Sequence, residues 1–157
     1  MNKNYEIPIR CRGIAVVLMK KIDGEYRVLL MKRATPTLYD VWCYIGGGIE
    51  EGEKAWEAAL REIREETGIT KVSLYTSNRF EQFYSADEDY IYIAPVFVGY
   101  VNDSEDIMLN WEHKDFQWLS FEEAKERVVL PGNDEVLEYI EKHFVKRNPA
   151  EWLHVGV

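Results

Sequence analysis

The stretch from residue 46 to 69 constrains this chain more than any other. Gly46-Gly47-Gly48 leads through Ile49-Glu50-Glu51-Gly52 into Glu53 to Thr67, where Trp56, Ala59, Leu60 and Ile63 recur at helical spacing. Gly68 follows directly and predicts a left-handed stop. A helix with one apolar face must bury it against another layer. A Gly-rich turn packed against it lets backbone come close to whatever lies there. On the same helix Glu62, Glu65 and Glu66 stand three and four positions apart, so they are neighbours at roughly 5–6 Å between Cβ atoms. The spacing predicts that all three point the same way, on a stripe roughly a third of a turn from the apolar face. Carboxylates this close repel one another and raise each other's pKa. They become favourable around hard divalent cations: oxygen donors of this kind suit Mg²⁺, with Mn²⁺ as the alternative, and Mg²⁺ is usually shared with water and substrate phosphates. The same triple, with Arg61 and Arg64 paired to neighbouring glutamates, also makes an ordinary solvated helix face. The surrounding pattern has to decide between the two.

The rest of the chain supplies a sheet. Ile14 to Met19 is almost wholly apolar, as a strand buried on both faces would be. Lys20 to Glu25, with Asp23-Gly24, predicts a hairpin turn, and Tyr26 to Lys32 the returning strand. Ala34 to Tyr44 holds Pro36 and no period, so it reads as a loop into the glycines. Val72 to Tyr84 and Tyr90 to Val101 read as longer strands joined by residues 85–89, with Pro95 expected at a sheet edge or a bulge. Phe116 to Leu119 predicts a short strand. Ser120 with Glu123 predicts a capping box for a helix through Arg127. Pro131-Gly132 breaks that helix, and Asn133 is expected to cap a last one carrying Val136, Leu137, Ile140 and Phe144. Strands and helices mix without regular alternation, so the expected fold is an α/β three-layer α/β/α sandwich with a mixed β-sheet. No repeat or linker interrupts it, and residues 1–157 are expected to form one domain.

Composition narrows the partners. With 28 acidic and 19 basic residues the net charge is −9, which disfavours duplex nucleic acid. A small phosphorylated ligand stays compatible, because a divalent metal supplies positive charge. No apolar run reaches the roughly 20 residues of a membrane span, and the N-terminus lacks the apolar stretch of a signal peptide. Cys11 and Cys43 form no CxxC, so a reduced cytoplasmic protein without a disulfide or zinc site is expected.

Gly47, five residues, Glu53, seven residues, then Arg61-Glu62-Ile63-Arg64-Glu65-Glu66-Thr67-Gly68-Ile69 resembles the Nudix box without a departure. A chance match to the whole pattern is on the order of one in ten million at background residue frequencies. The resemblance implies a Nudix-type sandwich and hydrolysis of a pyrophosphate bond in a nucleoside diphosphate linked to another group. It implies metal ligation by Glu62, Glu65 and Glu66, with a backbone carbonyl at Gly46 as a further ligand. Glu53 and Arg61 match a pair that ties the loop to the helix. The family often adds a carboxylate from a loop before a late strand. Here Glu112, in Trp111-Glu112-His113-Lys114-Asp115-Phe116-Gln117-Trp118, is the candidate, as a metal ligand or as the base for the attacking water. Glu81 and the Asp87-Glu88-Asp89 loop compete for that role. His113 is placed to orient a neighbour, to meet substrate, or to make a structural hydrogen bond.

Substrate contacts are expected from Arg12, Lys32 and Arg33 toward phosphates, from Gly47, and from stacking aromatics among Trp42, Tyr44, Phe83, Tyr84 and Tyr92. Core packing accounts for at least half of those rings. The expected substrate is a small nucleotide. Trp56 and the Glu112-His113 element resemble bacterial dATP or dihydroneopterin triphosphate pyrophosphohydrolases, so a nucleoside triphosphate split into monophosphate and pyrophosphate comes first. Asymmetric diadenosine tetraphosphate hydrolysis is the runner-up, and a non-catalytic nucleotide sensor of the same fold the third. A homodimer is expected on base rates for soluble enzymes.

Overall fold

The computed structural model describes residues 5–102 and 104–156. Among them, β1 (Ile9–Arg10), β2 (Gly13–Ile22), β3 (Glu25–Arg33), β4 (Trp42–Cys43), β5 (Ile45–Gly48), β6 (Val72–Ser85), β7 (Tyr90–Val101) and β8 (His113–Leu119) form one mixed sheet. The helices are α1 (Ala55–Thr67), α2 (Phe121–Arg127) and α3 (Asn133–Ile140). No helix among the described residues is long and apolar enough to cross a membrane.

β2 organises the sheet. One edge pairs in parallel with β7, from Ala15 opposite Val96 to Lys20 opposite Val101. Its other edge is shared: the first half pairs with β5, Gly13 opposite Gly48 through Val16 opposite Ile45, and the second half with β3. Side chains alternate across this strand, so Ile14, Val16 and Leu18 enter a core with Ala58, Ala59 and Ile63 of α1. Ala15, Val17 and Met19 enter a second core with Phe121, Val136, Leu137, Ile140 and Phe144. Burial on both faces is why the strand reads as a continuous apolar run. Helices on both faces of a mixed sheet make the expected three-layer α/β/α sandwich.

Several local expectations are corrected. Gly46–Gly48 is not a turn but strand, held by backbone pairing to β2. The acidic helix starts at Ala55, because Glu53 lies ahead of the cap residue Lys54 and turns its carboxylate to Arg61 and the Glu50 amide. Its end is as read: Gly68 adopts φ 78° and donates to the Arg64 carbonyl. Pro95 sits inside the sheet, between the part of β7 paired to β1 and the part paired to β2, opposite Phe80 and one residue from the register shift at Thr76/Arg79 of β6. The bulge is present and the edge is not. β8 begins at His113, three residues earlier than periodicity shows, since its first residues pair with Lys32 and Arg33. Ser120 accepts from the Glu123 amide, as a cap should. Asn133 does not cap α3: Gly132, at φ 100°, holds that position, and the buried Asn133 side chain accepts from the Tyr44 hydroxyl at 3.1 Å. The C-terminal tail packs on the body, with the Val155 amide donating to Leu74 and His154 against Tyr75.

Candidate active site

The three α1 glutamates do not point the same way. At about 100° per residue Glu66 falls in line with Ala59 on the core face, Glu62 to one side and Glu65 beyond it. Burial follows that fan: Glu66 is 1% exposed, Glu62 8%, and Glu65 is on the surface. Glu62 lies against Gly47, where a side chain's Cβ would overlap the Glu62 carboxyl carbon. A Gly47→Ala protein should therefore keep its melting temperature within a few degrees while kcat falls by about 10²-fold, the usual consequence of an ångström of misplacement. Melting curves beside steady-state kinetics check this; unchanged kcat would show that Glu62 need not sit there.

Arg61 stands at the centre of the cluster. Its Nε and Nη2 donate to the two oxygens of Glu53 at 2.8 and 3.0 Å, and Nη2 also to the Gly48 carbonyl at 2.7 Å. Nη1 donates to Glu62 at 2.9 Å and Glu65 at 3.2 Å. One side chain thus fastens β5, Glu53 ahead of the helix cap, and two of the acidic groups on α1. It holds the Glu53 carboxyl below the usual carboxylate range.

Glu112 reaches the same place from the turn before β8, where its carbonyl accepts from the Ala34 amide at 2.8 Å. Its charge adds to the upward push on Glu62 and Glu66, which begins with burial. Burial, then Glu62 and Glu112, pushes Glu66 up to about 9. Its Oε2 is buried with no hydrogen-bond partner. Opposite stands His113, with Nδ1 3.6 Å from Glu66 Oε1. Among the described residues no three acidic, His or Cys side chains are gathered about one point in cation-ligand geometry; Arg61 supplies the positive charge between Glu62 and Glu65. The donor set nevertheless fits a hard divalent cation: oxygen ligands only, mutually repelling, one of them buried without a partner.

On the α3 side of the sheet, a cleft of about 840 Å³ is lined by Leu38, Phe80, Glu81, Phe83, Leu130 and Asn133 among others. Glu81 is hydrogen-bonded to the Tyr44 hydroxyl, and burial raises its carboxyl. Phe83 stacks on Tyr92 at 4.9 Å between ring centroids. Cys43 and Tyr44 are consecutive, with Cys43 reaching toward His113 and Tyr44 toward the cleft.

Other expected contacts scatter. Arg33 lies close enough to Glu66 for its charge to be felt there, though its own donors go to Thr35 and Thr37. Arg12 is exposed at the start of β2, next to β5, its carbonyl accepting from Ile49. Gly46 pairs with Ala15, Trp42 packs beneath Lys32 and Arg127, and the Tyr84 hydroxyl donates to Asp89. Cys43 carries no functional signal in the sequence, and Asn133, which reads there as a cap, is a lining residue of the cleft. For Asn133 the Pro131-Gly132 pair was the available signal, since an αL glycine before a helix fills the cap position itself.

The NUDIX domain family model matches residues 11–140. The chain belongs to the Nudix family. It is 30% identical over 122 residues to the nucleoside triphosphatase NudI of Escherichia coli, covering 73% of this chain and 86% of that protein. It is 29% identical over 119 residues to the asymmetrical bis(5'-nucleosyl)-tetraphosphatase of Caenorhabditis elegans, covering 72% and 81%. The E. coli dihydroneopterin triphosphate pyrophosphohydrolase superposes with a TM-score of 0.69 at 26% identity, over 87% of this chain and 96% of that one. This protein is a Nudix-type pyrophosphohydrolase, and Nudix hydrolases generally use divalent metal ions.

Proposed function

We propose that this Nudix hydrolase, acting as one domain over residues 1–157, splits nucleoside or deoxynucleoside triphosphates into monophosphate and pyrophosphate with Mg²⁺. The observation that carries the reading is the buried, unpartnered Glu66 carboxyl, which feels the charges of Glu62, Glu112 and Glu65, with Glu62 lying against Gly47 of β5; the same chain holds a cleft of about 840 Å³ with aromatic walls. That volume suits one nucleoside, and the relatives named for triphosphates agree with it.

Glu62, Glu65, Glu66, Glu112 and the Gly46 carbonyl would hold the metal. When bound, such an ion neutralises phosphate charge and lowers the pKa of a bound water. The protein's own part is positional. Arg61 and Glu53 keep the helix in register with β5, so the carboxylates and the Gly47 backbone meet the phosphates as a fixed unit. Arg33, whose charge is felt at Glu66, would meet the phosphate chain, while Phe83, backed by Tyr92, offers a stacking surface for the base. Glu112, half-buried at a turn, takes the proton from the attacking water. Glu112→Gln should lower kcat by about 10²-fold or more; activity within about twofold of wild type would move that task to another carboxylate. The free cysteines Cys11 and Cys43 accord with a reducing, cytoplasmic setting.

Product analysis with Mg²⁺ across the four NTPs, the four dNTPs, dihydroneopterin triphosphate and diadenosine tetraphosphate tests the proposal. Monophosphate plus pyrophosphate supports it. The likeness to the C. elegans tetraphosphatase favours a second reading, which ATP plus AMP from diadenosine tetraphosphate alone would establish in its place. Tight nucleotide binding without turnover would make the chain a sensor.

A further inference from the structure

We propose that Lys114 is a positioning residue for the nucleoside: it clamps the loop of residues 34–41 from outside, and so holds Leu38 as a wall of the cleft. The proposal rests on the reading that the cleft takes the nucleoside of a triphosphate. The loop joins β3 to β4 and carries two non-glycine residues in the left-handed region, Leu38 at φ 54° and Asp40 at φ 66°. Aspartate tolerates that conformation, whereas leucine has its Cβ crowded against the backbone there. Such a residue persists only where its surroundings fix it. Leu38 lines the cleft together with Phe83 and Leu130, so its backbone geometry decides whether the cleft has that wall.

Two cations grip the loop. From within, Arg33 Nε donates to the Thr37 carbonyl at 2.9 Å and Nη2 to Thr35 Oγ1 at 3.1 Å. From outside, the exposed Lys114 of β8 donates to the Tyr39 hydroxyl at 2.9 Å, stands 4.2 Å from the centre of the Tyr39 ring and pairs with Asp40. Its contacts fall on the two residues after Leu38, one of them the second left-handed residue. Among the described residues, no other side chain makes a hydrogen bond or ion pair with the side chains of Tyr39 or Asp40. Without the ammonium, Leu38 relaxes to an ordinary negative φ and leaves the cleft. The Lys114 and Asp40 side chains are 37% and 49% exposed, and an ion pair that open contributes little to the stability of the fold. Its leverage is on the position of Leu38, which bears on the nucleoside and not on the phosphate chain at α1.

Lys114→Met keeps the aliphatic stem and removes the charge, and Lys114→Arg keeps both. Affinities of the Mg²⁺-loaded full chain for the α,β-methylene analogues of the four NTPs and four dNTPs, and for inorganic tripolyphosphate, are read by calorimetry, with melting temperature as the fold control. Lys114→Met should bind the analogue that wild type holds tightest about tenfold more weakly, the usual cost of an apolar wall contact. Tripolyphosphate should stay within about twofold, and Lys114→Arg within about threefold of wild type for both. In Leu38→Ala the wall is already cut back, so Lys114→Met added to it should cost less than about twofold more. In wild type, exchange of the Asp40 and Val41 amides, which donate to the Arg33 and Leu38 carbonyls, should slow with the nucleotide analogue and not with tripolyphosphate, a readout that needs no variant to fold. Unchanged nucleotide affinity in Lys114→Met, an equal loss for tripolyphosphate, additive losses in the double variant, or amide exchange indifferent to the nucleotide overturns the positioning role. A wild-type chain that binds none of the analogues overturns the triphosphate reading first, and this role with it.

Discussion

Glu66→Gln should lower kcat by about 10³-fold or more and, in the same protein, raise the melting temperature of the metal-free form at pH 8 by on the order of 5 °C. Both effects have one source. The Glu66 carboxyl is buried on the core face of α1, beside Glu62 and Glu112, and its pKa is pushed from 4.5 up to about 9. In the unfolded chain the group ionises from about pH 4.5 upward, whereas in the metal-free fold it keeps its proton until about 9. The contribution of this group to stability is therefore full below pH 4.5 and is lost progressively as the pH rises toward 9. Glutamine keeps the shape and removes the titration, so only the wild-type melting temperature should carry this slope. A divalent cation reverses the balance, because it favours the ionised form, and Mg²⁺ should restore wild-type stability far more than that of the variant. Melting temperature against pH, with chelator and with Mg²⁺, measures the difference between the two proteins and so isolates this carboxyl. A variant that turns over normally, or two parallel pH profiles, would remove Glu66 from the metal site.

The fold is legible in the sequence wherever burial is two-sided or the period is long. The apolar run Ile14–Met19 and the helix ending at Gly68 both stand where the pattern puts them. Short elements are not legible, because their cause lies elsewhere in the chain. Ile45–Gly48 has neither a period nor strand propensity, and becomes strand because β2 offers unpaired backbone beside it. Pro95 signals an edge or a bulge without saying which: the irregularity lies beside it, and β7 changes partners from β1 to β2 around it, so an interior proline is tolerated there.

The site divides in a similar way. The carboxylates and the Glu53–Arg61 pair follow from helix spacing together with the family pattern. The fan of the glutamates was also available, since Glu66 stands seven residues after Ala59 and so shares its face. What sequence spacing lacks is contact between distant segments. Cys43, His113 and Glu66 come from three elements, as do Tyr44, Glu81 and Asn133, and nothing local announces either group. The aromatics show the same limit. Tyr84 and Phe83 are adjacent on β6 and point to opposite faces, so only Phe83 lines the cleft while Tyr84 turns its hydroxyl to Asp89.

Arg61→Ala should destabilise the protein by on the order of 10 °C in melting temperature and remove most turnover, and Arg61→Lys should recover less than half of the lost stability. The Arg61 side chain is 13% exposed, and the Glu53 and Glu62 side chains that it holds are 15% and 10% exposed. Alanine leaves both carboxylates without their counter-charge and frees Glu62 and Glu65 to repel Glu66. It also cuts the tie between Gly48 of β5 and the helix. Lysine restores a charge but not the fork: one ammonium cannot meet both oxygens of Glu53 while also reaching the Gly48 carbonyl and Glu62. The pH dependence runs opposite to that of Glu66. Arg61 holds the Glu53 carboxyl down, so its stabilisation is present above the ordinary carboxylate value and is lost as the pH falls through the depressed one. The gap between wild type and Arg61→Ala should accordingly narrow in acid. Mg²⁺ should rescue part of the loss, the part due to repulsion among Glu62, Glu65 and Glu66, and leave the part due to Glu53 and Gly48. Full rescue by Mg²⁺ would reduce Arg61 to a stand-in for the cation. No rescue would make it purely the fastening between strand and helix. A partial one, with lysine unable to substitute, is what a guanidinium serving both ends of the site requires.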